Sequence, residues 1–123
     1  MAKPLTVEEP PVNIYEASGQ LTVAIPMPGA HNDTVEVVLE GRKLRAQAEA
    51  RYAQEQQHYL QHEWSVGRFQ REIELPRAVQ AAGAKAMLTH GVLTVSLPLG
   101  DAKGSGTARI PVEEPATHQA TPH

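Results

Sequence analysis

His58 and His62 are the residues whose types and spacing come nearest to metal chemistry. Two histidines four residues apart converge on one side of a helix, which is the arrangement that holds zinc in several enzymes. The chain has six histidines but no cysteine that could complete such a site. Because short histidine spacings are often incidental, we expect no metal site and no cofactor. We expect both side chains to be solvated, with titration at a subunit contact as the alternative.

The sequence shows no set of residues that is typical of nucleophilic or acid–base catalysis. Ser105 lies between two glycines in a stretch of linker composition, without the strand–turn–helix context of a nucleophile elbow. The carboxylate pairs at 8–9 and 113–114 lie in proline-containing arms that cannot hold a fixed geometry. The glycines at 29, 41 and 91 are predicted to form turns and not a phosphate loop. We therefore expect that the chain is not an enzyme.

An isolated apolar tripeptide, Ile110-Pro111-Val112, is the most informative stretch outside the predicted strands. Residues 100–107 before it have the composition of a flexible linker, and polar residues follow it. Proline keeps the tripeptide extended, so Ile110 and Val112 point to the same side. Since neither residue has a core of its own to fill, we expect them to dock into a groove on this chain or on another copy. The alternative is an incidental pair of exposed apolar residues.

The length of the chain indicates a single domain. Its charge does not indicate a surface that binds nucleic acid. The 123 residues carry a net charge of −3, with a pI near 6.0, and suffice for one core with tails. The absence of cysteine fits a reducing compartment. We find no signal-peptide pattern and no apolar run long enough to span a membrane. We therefore expect a cytoplasmic protein with no nucleic-acid or membrane partner.

The predicted secondary structure of the chain consists of strands, because its apolar residues recur with the period of two that is typical of half-buried strands. About seven short segments of alternating apolar and polar residues, bounded by Gly and Pro, favour an all-β, immunoglobulin-like antiparallel sandwich. We expect an N-terminal arm over 1–10, the domain over 11–99 and a flexible C-terminal extension over 100–123. Residues 77–85 are expected to form a short helical turn or a loop. Residues 50–63 form an interruption long enough to indicate an interaction element.

Three sequence blocks, in this order, resemble the alpha-crystallin domain of the small heat-shock proteins. They are residues 11–16 with the turn at 26–29, the stretch GRFQREIELP at 67–76, and Ala86 followed by GVLTV at 91–95. The tripeptide at 110–112 lies where that family carries its Ile-x-Ile/Val anchor. The resemblance covers residues 11–99 and implies a sandwich that dimerises.

In bacterial-type members of that family, a loop strand pairs with an edge strand of the partner subunit. The resemblance assigns the loop role to His58, Tyr59 and Leu60, and the edge role to Ile14 and Tyr15. An unpaired edge strand is a template for another chain, and mutual exchange satisfies both edges of a closed dimer.

The resemblance also directs the tail into a hydrophobic groove at the sandwich edge, for which we predict the lining Val37, Leu39, Ala86 and Leu88. Burying the Ile and Val side chains contributes about 1.5–3 kcal/mol each before ordering costs. We expect a weak contact that acts through avidity between linked dimers. The linker over 100–109 reaches at most about 35 Å, so docking within a subunit and docking onto a neighbour both stay open.

Arg71 shares an alternating face with Phe69 and Ile73 and therefore needs a carboxylate or a backbone carbonyl as its partner. We predict a structural ion pair, which a dimer could complete, and no catalytic role.

The N-terminal arm differs from the family pattern, because residues 1–10 contain no aromatic residue. We interpret this arm as very short or truncated, which puts large assemblies in question.

The predicted function is that of an ATP-independent holdase whose partners are non-native client proteins and other copies of this chain, as a dimer or a larger oligomer. The alternative is a co-chaperone or scaffold of the CS-domain type, which shares the sandwich and binds a specific folded partner. The Ala86 and GVLTV signature together with the tail tripeptide favours the holdase.

Overall fold

The computed structural model describes residues 7–50, 58–63, 67–101 and 106–113. Within these ranges a 3₁₀ turn at Asn32–Thr34 and ten strands form. The strands are β1 Val7–Glu8, β2 Asn13–Ala17, β3 Gln20–Pro26, β4 Glu36–Glu40, β5 Lys43–Glu49, β6 Arg68–Glu74, β7 Lys85–Thr89, β8 Val92–Pro98, β9 Thr107–Arg109 and β10 Val112–Glu113. No helix in this described part of the chain has the length and apolarity needed to cross a membrane.

The strands form two five-stranded sheets that pack as a sandwich, which confirms the predicted fold class. The first sheet has the order β1-β6-β5-β4-β9, and the second has the order β10-β7-β8-β3-β2. Neighbouring strands are antiparallel, except that β1 lies parallel to β6 and β10 lies parallel to β7. The two parallel pairs are both made by short segments near the ends of the described chain.

Alternation of apolar and polar residues creates the core. On β3 and β8 the pairs Leu21 with Leu97 and Val23 with Val95 lie directly opposite each other, and all four side chains are buried. Successive residues of a strand point to opposite faces of its sheet, so the residues between them face outward. The inward faces of both sheets therefore meet in one apolar layer.

Two tight hairpins define the register of the second sheet. Ser18 and Gly19 connect β2 to β3 with φ of 54° and 74°, while His90 and Gly91 connect β7 to β8 with φ of 53° and 77°. Two consecutive positive φ values are the signature of a type I′ turn, whose twist matches that of the flanking strands. The turn at His90 and Gly91 places Ala86 of β7 opposite Val95 of β8.

One connection and two short strands lie where the sequence showed no alternation. Residues 77–85 form an irregular connection, in which Val79 is buried and bridges to Leu99; β7 begins at its last residue. Val7–Glu8 of the predicted arm forms β1, and Thr107–Arg109 of the predicted linker forms β9. Such two- and three-residue strands are too short for a periodic signal, and their pairing partners are distant in sequence.

All four sheet edges are formed by segments near the two ends of the described chain, β1 and β2 at one end and β9 and β10 at the other. In both places the chain crosses from the first sheet to the second at a proline-containing step, at 10–11 and at 110–111. Proline lacks the N–H that a ladder requires, so it suits a crossing between sheets.

Candidate functional site: an edge groove that holds the tail

The candidate site is the groove between β4 of the first sheet and β7 of the second, which we call the edge groove. The four predicted lining residues Val37, Leu39, Ala86 and Leu88 lie on these two strands, and their side chains are all buried. Residues 107–113, the tail segment, lie along this groove and pair with both strands. The edge groove is thus occupied by the same chain that forms it.

Two backbone hydrogen bonds hold the tripeptide across the groove. The Ile110 N–H donates to the Val37 carbonyl over 2.8 Å, and the Ala86 N–H donates to the Pro111 carbonyl over 2.9 Å. One bond reaches each sheet. Because Pro111 has no N–H, its carbonyl is the only backbone group with which it can join the ladder.

The two apolar side chains of the tripeptide are buried to different extents. Ile110 is 2% exposed and belongs to the main core cluster. Val112 lies opposite Ala86 and is partly buried against the same cluster. The sequence did not distinguish the two contacts, whereas the geometry makes Ile110 the deeper one.

Glu36 and Arg109 are contact residues that the sequence reasoning did not identify. Arg109 Nη2 donates to Glu36 Oε2 over 3.0 Å, and Gln47 Nε2 donates to Glu36 Oε1 over 2.7 Å. The alternation of β4 showed that Glu36 faces solvent. Only the pairing of β9 with β4, in which Arg109 lies opposite Val38, brings the two charges together.

A depression of about 360 Å³ continues the edge groove beyond β9. Its lining includes Leu39, Val79, Ala81, Thr107 and Ala108. Leu39 lies opposite Ala108, so the wall of this depression is shared between β4 and the docked tail segment.

The predicted exchange elements lie on a different edge. Ile14 and Tyr15 are on β2, which pairs only with β3 among the described residues, and the Tyr15 side chain is 55% exposed. In the loop, Leu60 is 95% exposed, and the rings of Tyr59 and His62 stack with centroids 4.2 Å apart. Of the predicted segment 50–63, residues 51–57 lie outside the described ranges. The exchange between subunits stays a prediction.

Arg71 joins the first sheet to the crossing between β1 and β2. Its Nη1 donates to the carbonyl of Pro10 over 2.8 Å, and Pro10 is itself buried. A backbone carbonyl was one of the two partner types that the sequence allowed for this residue. The ion pair across a dimer stays a prediction.

The chemistry of the site is that of a binding surface. It offers apolar side chains together with backbone donors and acceptors at two strand edges. Across the described ranges, no group of three or more His, Cys, Asp or Glu side chains is arranged to hold a metal ion.

Comparisons with known proteins place this architecture among the heat-shock proteins. The model of the Hsp20/alpha crystallin family matches residues 13–113, a range that includes the tripeptide. The chain is 29% identical over 96 residues to the 22.7 kDa class IV heat shock protein of Pisum sativum, covering 76% of this chain and 49% of that protein. It is 32% identical over 97 residues to the 19.0 kDa class II heat shock protein of Oryza sativa subsp. japonica, covering 71% of this chain and 55% of that protein.

A solved structure of a small heat-shock protein from Xylella fastidiosa superposes with a TM-score of 0.64 at 28% identity. The superposition covers 79% of this chain and 91% of that one. The chain spans about half the length of the curated relatives it matches.

Proposed function

Because the chain belongs to the Hsp20/alpha crystallin family, we propose that it is an ATP-independent holdase that binds partly unfolded proteins and keeps them from aggregating. The observation that carries this proposal is the occupied edge groove, in which the chain's own extended segment buries Ile110 to 2% exposure. A surface that takes one extended aliphatic segment is chemically suited to take others of similar character.

Release of the tail segment would create the client-binding surface. Without the tail segment, the Val37 carbonyl and the Ala86 N–H lose their hydrogen-bond partners. The apolar cluster that contains Val37 and Ala86 also loses Ile110. Unpaired strand edges pair readily with extended chains. Non-native proteins expose extended segments and apolar side chains together, and folded proteins do not.

The energetics favour a reversible contact. Burying Ile110 and Val112 contributes about 1.5–3 kcal/mol for each fully buried side chain, while ordering each residue of the tail segment costs about 1–2 kcal/mol in backbone entropy. Summed over the seven residues of the tail segment, the ordering cost exceeds what the two side chains contribute, and docking therefore depends also on the backbone hydrogen bonds to β4 and β7. With so small a balance, heat or competition from a client suffices to open the groove. Binding of the non-native state then holds aggregation back by mass action, without nucleotide.

Dimerisation through β2 and the loop at 58–60 is the second part of the proposal. When two edge grooves are linked in one dimer, a client bound to one groove meets the second at a raised effective concentration. A client that presents several segments therefore binds more tightly. The exposed Tyr15 and Leu60 side chains are the contacts proposed for this interface.

The test is light scattering from a heat-denatured client without ATP, read beside the oligomeric mass. The intact protein is expected to suppress scattering. The double variant Ile110→Ser/Val112→Ser is expected to suppress it at lower temperature, because its groove is open. Val7→Ser, which alters an exposed aliphatic residue on β1, is the matched control.

Unchanged client scattering with the intact protein would refute the holdase. That result would also be the expected behaviour of a CS-domain-type scaffold, which binds a folded partner and which the family match does not favour.

A further inference from the structure

The solvent face of β4 carries two carboxylates beside the docked tail segment. Glu36, Val38 and Glu40 alternate outward on this strand, and Arg109 lies directly opposite Val38. Residues two positions away from a cross-strand partner are its diagonal neighbours. Arg109 therefore lies between Glu36 and Glu40, at the position where the tail segment begins its crossing.

Glu36 is held in place for this contact. It lies directly opposite Gln47 on β5, whose amide donates to Oε1 over 2.7 Å, and its other oxygen accepts the Arg109 guanidinium over 3.0 Å. Both oxygens are thus engaged, one by the groove and one by the tail. The carboxylate is oriented by its own sheet toward the arriving cation.

At the C-terminal end of the tail segment the charges are reversed. There the segment carries the anion and the neighbouring strand carries the cation. Glu113 lies opposite Met87 on β7, and Lys85, two residues before Met87, is on the same outward face of that strand. The tail segment thus reads cation, Ile, Pro, Val, anion. Glutamates lie near its start, and a lysine lies near its end.

We propose that Glu36 is a specificity-determining residue, so that the edge groove selects its occupant by charge order as well as by the two aliphatic side chains. The occupant selected is the chain's own tail segment. A segment with an acid in place of Arg109 meets Glu36 and Glu40 as like charges, and a segment docked in the reverse direction meets like charges at both ends. This inference rests on the proposed docking role of the tail.

Hydrogen exchange of the Ile110 and Ala86 amides tests the inference in the full chain, because both amides are protected only while the tail segment is docked. Arg109→Glu and Glu36→Lys are each expected to lower the protection of both amides about twofold to fivefold, the range for exposed ion pairs. The double variant, which restores opposite charges, is expected to recover most of it. Glu36→Gln is expected to fall between Glu36→Lys and the unaltered chain.

Glu74→Lys is the control, because it makes the same change in charge on the outward face of β6, two strands away from β4. It is expected to leave the protection of both amides unchanged. Full protection of both amides in the two single variants would overturn the proposed selection by charge. So would a double variant whose amides are no better protected than those of either single variant. A failed scattering assay with intact exchange behaviour would instead count against the holdase alone.

Discussion

The Ile110 N–H donates to the Val37 carbonyl over 2.8 Å, although the two residues lie far apart in the chain. The next residue, Pro111, accepts from Ala86 of the other sheet. One peptide step therefore joins both layers of the sandwich at its edge. The stability of this edge therefore depends on the tail segment.

Ile110→Ser should lower the free energy of unfolding by about 1–3 kcal/mol. Removal of a buried aliphatic side chain costs about 2–5 kcal/mol in a rigid core, and undocking of the segment limits the loss here. Val112→Ser should cost less than half as much, because Val112 is only partly buried. Urea denaturation of both variants measures the two values. Equal losses would contradict the deeper placement of Ile110.

Gly91→Ala should destabilise the chain by about 1–2 kcal/mol, because the residue has a φ of 77° that side chains with a Cβ adopt at that cost. Gly106→Ala is the control, since a Cβ there meets no atom within 4 Å and its φ is not in the left-handed region. Thermal and urea denaturation of the pair should separate the two glycines. Similar losses at both positions would argue against the type I′ turn.

Arg71→Ala should release the first strand. A hydrogen bond to a charged donor contributes about 1.5–3 kcal/mol, and Arg71 is the donor that reaches the buried Pro10 carbonyl. We expect a loss of about 1–3 kcal/mol and faster hydrogen exchange in β1. Arg42→Ala removes an exposed contact to Glu74 at 3.8 Å in the turn between β4 and β5 and should change stability by less than about 0.5 kcal/mol. Slow exchange in β1 of the Arg71 variant would show that the crossing is held by other contacts.

Leu60→Asp should weaken the proposed dimer at least about tenfold. Burying a leucine contributes about 1.5–3 kcal/mol, and a carboxylate at a closed interface adds a desolvation cost. Sedimentation equilibrium across a range of protein concentrations measures the change. Val7 lies on β1 of the first sheet, whereas the proposed interface strand β2 belongs to the second. Val7→Asp is therefore the control for adding a charge at an exposed apolar position. If both variants dimerise like the intact protein, the interface does not involve the loop.

The sequence alone determined the strand periodicity, the inward faces, the hairpin turns and the presence of an aliphatic pair in the tail. These features are local: a strand alternates with period two, and a type I′ turn needs two adjacent residues that tolerate positive φ. For that reason the sandwich was predictable from residues 11–99. Leu21, Val23, Leu93 and Val95 all point inward, as their alternation indicated.

The tertiary structure alone decided the register of the tail segment in the edge groove and which charges it meets there. Glu36 and Arg109 are 73 residues apart in sequence, and Arg71 and Pro10 are 61 residues apart. No local pattern specifies such a pairing, because β1, β9 and β10 are too short to carry a period and gain their partners only when the edges of both sheets exist. Packing of the two sheets creates those edges, and the edges then select the chain ends that cover them.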